Sequence, residues 1–150
     1  GYSDLVIGNL WSLGVVAEVI VFMLSHRLFR RWSARNLLLL SAVCGIIRWG
    51  MMGAFTALPV LIIVQILHSG TFTVCHLAAM RFISARKENE IIPLQGAYSA
   101  LATGGGLAVV TIMVGYIYER MPDQHGVVFY LMALLAVPAL FIRPRVTAQS

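Results

Sequence analysis

Long apolar runs alternate with short polar clusters along the entire chain, and each run has the length of a membrane crossing. The first extends from about residue 5 to 24 and ends at the cluster His26, Arg27, Arg30, Arg31 and Arg35. The second covers about 36–57. A tight turn at Ala57, Leu58 and Pro59 leads into the third, about 58–80, which closes at Arg81, Arg86 and Lys87. The fourth begins near Pro93, a residue suited to the first turn of a helix, and reaches about 118. After a polar stretch from Glu119 to Gly126, the fifth covers about 127–142 and stops at Arg143, Pro144 and Arg145. A helix needs roughly 20 apolar-dominated residues to cross a hydrocarbon core of about 30 Å. The pattern therefore predicts an all-α integral membrane chain of five transmembrane helices.

Composition agrees with that pattern: apolar residues make up 59% of the 150 and charged residues only 11%. The net charge of +5 lies at the ends of apolar segments and not along an aromatic-studded face, so it marks no nucleic-acid surface. It reports orientation instead. Arg27, Arg30, Arg31, Arg35, Arg81, Arg86, Lys87, Arg143 and Arg145 share one side of the membrane, whereas the other side holds Arg120 with Asp4, Glu119 and Asp123. Positive loops remain cytoplasmic, so the C-terminus is expected in the cytoplasm. Cys44 and Cys75 lie within apolar runs and read as small buried residues, not as a disulfide framework. No basic region precedes the first apolar run, so that run is expected to be a span rather than a signal peptide. An odd number of spans entered at Gly1-Tyr2-Ser3-Asp4 is expected to be part of a larger assembly lacking its first member.

Against this background a few polar residues stand out. Counting 1.5 Å per residue places Glu18 about 20 Å, Arg48 about 13 Å and His68 about 15 Å from the outer ends of their spans. All three fall near the midplane. Each ionisable group there costs on the order of 2.5–3.5 kcal/mol to insert, a cost tolerated when such groups meet one another or line an aqueous cavity. They are read as one site. At 100° per residue, Gln65, Thr71 and Cys75 fall within about 60° of His68, whereas His76 stands about 80° away. On the first span Trp11, Gly14, Glu18 and Ser25 share a face, which sets an aromatic platform above a carboxylate.

His68 titrates near neutrality in its unperturbed state, and Glu18 is suited to carry a proton if it is protonated when buried and released when a cavity opens. The plainer reading of His68 is a hydrogen bond to a backbone carbonyl or to Gln65 between packed helices; for His76, off the stripe, the structural reading is the stronger. Gly96, Ala100, Gly104, Gly105, Gly106 and Gly115 predict close helix packing or a rocking helix, with Gln95, Ser99 and Thr103 forming a polar row. Arg30, Arg31 and Arg35 are a topological anchor that doubles as a candidate gating contact. His68, Cys75 and His76 do not close a metal or haem site on a single helix, although a membrane-embedded metal or haem protein remains the rival reading from another class. No GxSxG or comparable hydrolase arrangement is present, so no enzyme and no cofactor are expected.

The runs Leu10–Ala42, Arg48–Pro59 (RWGMMGAFTALP) and Val64–Phe82 (VQILHSGTFTVCHLAAMRF) resemble the major facilitator superfamily, and within it the phenylpropionate permease branch. The resemblance covers essentially the whole chain. It implies most of the C-terminal six-helix half of such a carrier, helices eight to twelve, with the N-terminal half as the missing partner. It further implies a bacterial inner-membrane protein that imports 3-phenylpropionate or a related small aromatic carboxylate with protons by alternating access. A nucleoside or sugar proton symporter of the same superfamily is the alternative. Sugar-permease relatives have an arginine matching Arg48 in IIRWG and a histidine matching His68 in ILHSG, but the carboxylate one turn after that histidine is replaced by Thr71. The loop HRLFRRWSAR resembles the superfamily's basic signature, with Ser33 in place of the usual glycine. The implied roles are proton coupling for Glu18 and His68, substrate binding for Trp11, Glu18, Arg48, Gln65, His68 and Thr71, and gating for Arg30, Arg31 and Arg35.

Overall fold

The computed structural model describes residues 1–121 and 123–142, and every regular element among them is helical. Helix α1 spans Asp4–Leu28, α2 Ala34–Ala54 and α3 Leu58–Ser84. Each begins where the chain supplies an entry signal. The Ser33 hydroxyl accepts from the backbone N–H of Asn36 at 3.1 Å and caps α2. Pro59 sits in the first turn of α3, where its missing N–H goes unneeded. With 25 and 27 residues, α1 and α3 measure about 37 and 40 Å, enough to cross a bilayer with some tilt.

The fourth apolar run forms a rod from Glu88 to Arg120, 33 residues long. It comprises α4, Glu88–Tyr98, a π-helical segment, Ser99–Gly105, and α5, Gly106–Arg120. The rod starts five residues ahead of the Pro93 boundary. Glu88 and Glu90 place negative charge in the first turn, where the helix dipole favours it, so Pro93 lies inside the helix. The π segment begins where Thr103 donates back to the Ser99 carbonyl at 2.5 Å and where Gly104, Gly105 and Gly106 hold the α conformation weakly. Helix α6, His125–Ala136, continues into a 3₁₀ turn at Val137–Leu140. Among the described residues four helices are long and apolar enough to cross a membrane, and the fifth apolar stretch is the shorter helix Gly126–Leu140. Arg143 and Arg145, which contributed to the orientation argument, lie outside the described residues.

Helix α3 packs against both α1 and α2, α2 packs additionally against α6, and the rod touches α3 near its start and α6 near its end. The buried side chains Phe29, Leu37, Val74 and Ala78 form one apolar cluster where α2 and α3 meet the end of α1, and Val64 and Thr73 are also fully buried. Many large apolar side chains face outward, as a lipid solvent allows. Because lipid tails are as apolar as leucine, such helices associate through close packing, which small residues permit. A Cβ on Gly70 would lie 2.8 Å from Cys44 Sγ, one on Gly53 2.8 Å from the Tyr130 ring, and one on Gly126 2.7 Å from the Gly53 carbonyl oxygen.

The glycines of the rod behave differently. Nothing lies within 4 Å of a Cβ added at Gly96 or Gly115, and Gly104, Gly105 and Gly106 meet only carbonyls of their own helix. The close approaches that the glycine pattern placed on the fourth span occur within this chain on the other helices instead. Gly126→Ala is therefore expected to lower stability by about 1–3 kcal/mol, since a backbone carbonyl cannot swing aside. Gly115→Ala, with open space for the methyl group inside α5, should instead raise stability slightly, by up to about 1 kcal/mol. Thermal midpoints of the detergent-solubilised protein check both.

Candidate functional site

The site begins at the crossing of α1 and α3. Gly14 is buried against α3, and a side chain there would meet Gln65 Oε1 at 3.0 Å and His68 Cδ2 at 3.7 Å. Its absence lets the helices close. One turn further along α1, Glu18 Oε1 then reaches His68 Nε2 at 2.8 Å, with the two side chains 18% and 31% exposed. The contact is short enough for a charge-assisted hydrogen bond. The other imidazole nitrogen, Nδ1, is buried without a hydrogen-bond partner, so the plain alternative of His68 bonding a carbonyl or Gln65 is not what forms. The His68 ring stacks on Phe72, one turn along α3, with centroids 6.1 Å apart and planes 19° from parallel.

Arg48 enters from α2. It is 9% exposed, and its guanidinium carbon lies 4.3 Å from the centroid of the neighbouring Trp49 ring. That indole stacks in turn on Phe129 of α6 at 6.0 Å, so α6 props the arginine from behind. Arg48 interacts electrostatically with both Glu18 and His68, yet the ion pair within 4 Å belongs to Glu18 and His68. Arg48 Nε is buried with no hydrogen-bond partner. A buried donor on a permanently charged group without a partner is costly. It is the natural place for an anion.

The remaining expected site residues separate into those near this centre and those that turn away. Gln65 covers Gly14 one turn from His68. Trp11 lies on α1 one turn from Gly14 and is 70% exposed, open to whatever faces that helix. Thr71 turns toward α2: its hydroxyl donates to the Leu67 carbonyl at 3.1 Å, its own carbonyl accepts from Ser41 at 2.8 Å, and its methyl lies beside Gly45. Arg30, Arg31 and Arg35 are exposed. Arg30 and Arg31 lie on the loop before α2 and Arg35 in the first turn of α2; that loop is held by Arg81 at the end of α3, whose guanidinium donates to the Phe29 carbonyl at 2.6 Å and to the Trp32 carbonyl. Sequence reasoning counted Arg81 only as an orientation charge, because 49 and 52 positions separate it from these acceptors. Among the described residues no three His, Cys, Asp or Glu side chains gather as metal ligands.

A family model described as the MFS_1 like family matches residues 1–142. The chain belongs to that family. As a member of this family it is a multi-pass, all-helical membrane protein. It is 62% identical over 146 residues to a protein of Escherichia coli strain K12 called "Probable 3-phenylpropionic acid transporter", covering 97% of this chain and 38% of that protein. The chain thus spans well under half the length of this relative. No solved structure matches it. Ionisable groups within membrane spans commonly mark substrate and ion pathways, which makes Arg48, Glu18 and His68 the candidate site of this chain.

Proposed function

We propose that this chain forms most of the C-terminal half of a proton-coupled secondary transporter that imports 3-phenylpropionate or a related small aromatic carboxylate by alternating access. The observation that carries the reading is the buried, unpartnered Nε of Arg48 beside the Glu18–His68 pair. The guanidinium receives the substrate carboxylate in the fork geometry that carboxylates favour. Glu18 takes up and releases the transported proton, and His68, in direct contact with it, tunes or relays that proton. Gln65 completes the polar wall. Trp11, exposed one turn from Gly14, offers a face for the substrate's aromatic ring. The name of the 62% identical relative supports the aromatic acid as substrate.

In this reading the five apolar stretches are helices eight to twelve of a twelve-helix carrier in a bacterial inner membrane, with the C-terminus in the cytoplasm. The N-terminal half supplies the opposite wall of the cavity, and rocking of one half against the other exposes the site to each side in turn. Arg30 and Arg31, on the loop clamped by Arg81, and Arg35, in the first turn of α2, take part in closing the cytoplasmic side. The full-length transporter reconstituted in vesicles is expected to accumulate 3-phenylpropionate when the outside is made acidic. A protonophore should abolish that accumulation, and excess nucleoside or sugar should not compete. Uptake indifferent to the pH gradient, or competition by sugars, would overturn the reading.

A further inference from the structure

Two turns along α3 from His68, toward the Arg81 end, stands a second imidazole. His76 Nδ1 lies 3.4 Å from the hydroxyl of Tyr98 on α4, and the two ring centroids are 5.8 Å apart. From the other side Phe22 of α1 meets the His76 ring edge-on at 6.0 Å. His76 is therefore the point where α1, α3 and α4 come together. Among the described residues the ring contacts to His76 come from Phe22 and Tyr98. The titratable groups around it are Tyr98 on α4 and Cys75, which precedes it on α3 and interacts electrostatically with Tyr98; α1 presents the uncharged Phe22.

The two imidazoles are separated by aromatic rings on both helices. Phe72 follows His68 by one turn and stacks on it, and Phe22 follows Glu18 by one turn. Eight residues of helix put His68 and His76 about 12 Å apart along the axis, beyond the reach of one hydrogen bond. The Glu18–His68 pair and the His76–Tyr98 pair thus lie at different heights along α1 and α3, with Phe22 and Phe72 at heights between them.

We infer that His76, held by Tyr98, is a second proton-handling station that receives the proton leaving the Glu18–His68 pair and passes it to water on the Arg81 side. The inference rests on the proton-coupled reading above. In the step, protonated Glu18 loses its proton to a water and becomes a carboxylate. His76 takes that proton and becomes an imidazolium, then yields it to water and returns to the neutral ring. The phenol suits both states: Tyr98 donates to Nδ1 of the neutral imidazole and accepts from the N–H of the imidazolium. The pair remains bonded whether or not it carries the proton, so α3 and α4 need not separate for the transfer.

The test uses the full-length transporter in vesicles with His76→Gln and Tyr98→Phe, measuring accumulation driven by a pH gradient and substrate counterflow in parallel. A positioned proton-transfer group contributes about 10²–10⁴-fold to a rate, so His76→Gln is expected to slow gradient-driven uptake by at least about tenfold. Counterflow, which releases no proton, should remain within about twofold of wild type on the same basis. Tyr98→Phe should keep counterflow and displace the pH profile of uptake. Wild-type uptake and pH profile in His76→Gln overturn the inference. Equal loss of uptake and counterflow in both variants also overturns it, because the contact is then only structural. Full coupling in Glu18→Gln would instead remove the underlying proton-coupled reading, whatever His76→Gln does.

Discussion

Replacing Glu18 by Gln in the intact transporter is expected to abolish accumulation driven by a pH gradient while leaving counterflow partly in place. Glutamine preserves the shape of the side chain and its hydrogen bond to His68 Nε2, 2.8 Å away in the wild-type chain, but it carries neither charge nor an exchangeable carboxyl proton. Carriage of one proton with one monocarboxylate is electroneutral, so the driving force comes from the pH difference alone. One pH unit corresponds to about 1.36 kcal/mol, which sustains roughly tenfold accumulation at equilibrium. The variant should fall from that ratio to about one. Substrate exchange across the membrane needs the conformational change but no net proton movement, so it survives. Radiolabelled substrate in vesicles with an imposed gradient gives both numbers, and active uptake at the wild-type level would sink the assignment of Glu18.

The second large effect concerns Arg48. Its side chain is buried, its Nε has no protein partner, and the carboxylate nearest the site is already engaged by His68. Removing one member of a buried charge pair costs about 3–5 kcal/mol, so Arg48→Gln should weaken binding of the aromatic acid by roughly 10²–10⁴-fold. Lysine retains the charge but loses the planar fork, and Arg48→Lys should fall between the two. An uncharged probe separates a binding role from a packing role. The amide of the same acid should bind Arg48→Gln about as well as wild type, because it never used the guanidinium charge. If acid and amide weaken together, Arg48 acts through its stacking on Trp49 and Phe129 and the substrate assignment fails. Isothermal titration on the purified full-length protein reads both ligands.

That Glu18 and His68 stand at one height on their helices was legible from residue counting, and they meet at 2.8 Å; which helix faces touch was not. Glu18, Arg48 and His68 could be set near one level because a helix rises by a fixed amount per residue. Which of them would pair could not be read that way. Gly14 favours the observed pairing: without a side chain there the Gln65 amide packs closely against α1, and at that crossing Glu18 pairs with His68, while among the described residues no ion pair within 4 Å involves Arg48. The only available sequence signal was the Gly14–Glu18 spacing on one face. Thr71 illustrates the converse, since the stripe that groups it with His68 is wide enough for its hydroxyl to turn back to Leu67 and its methyl to seat beside Gly45. His76 looked structural because it lies off the stripe, and its contacts with Phe22 and Tyr98 depend on where α1 and the rod converge.

Hydrophobic length and the placement of basic clusters are one-dimensional properties, and a bilayer acts on them residue by residue, so the amino-acid order alone determined that this is a multi-helix membrane chain. The order alone also determined the approximate depth of its ionisable groups and the family to which its motifs point. The tertiary structure decided which helices touch, that the glycines used for close packing lie outside the rod, and that Arg81 rather than the exposed arginines holds the basic loop. It also decided that an acid–imidazole pair stands beside a guanidinium with a buried, unpartnered nitrogen. In lipid no hydrophobic force distinguishes one apolar helix face from another, so these choices fall to a few small side chains and buried polar atoms, whose effects appear only when the helices are in place.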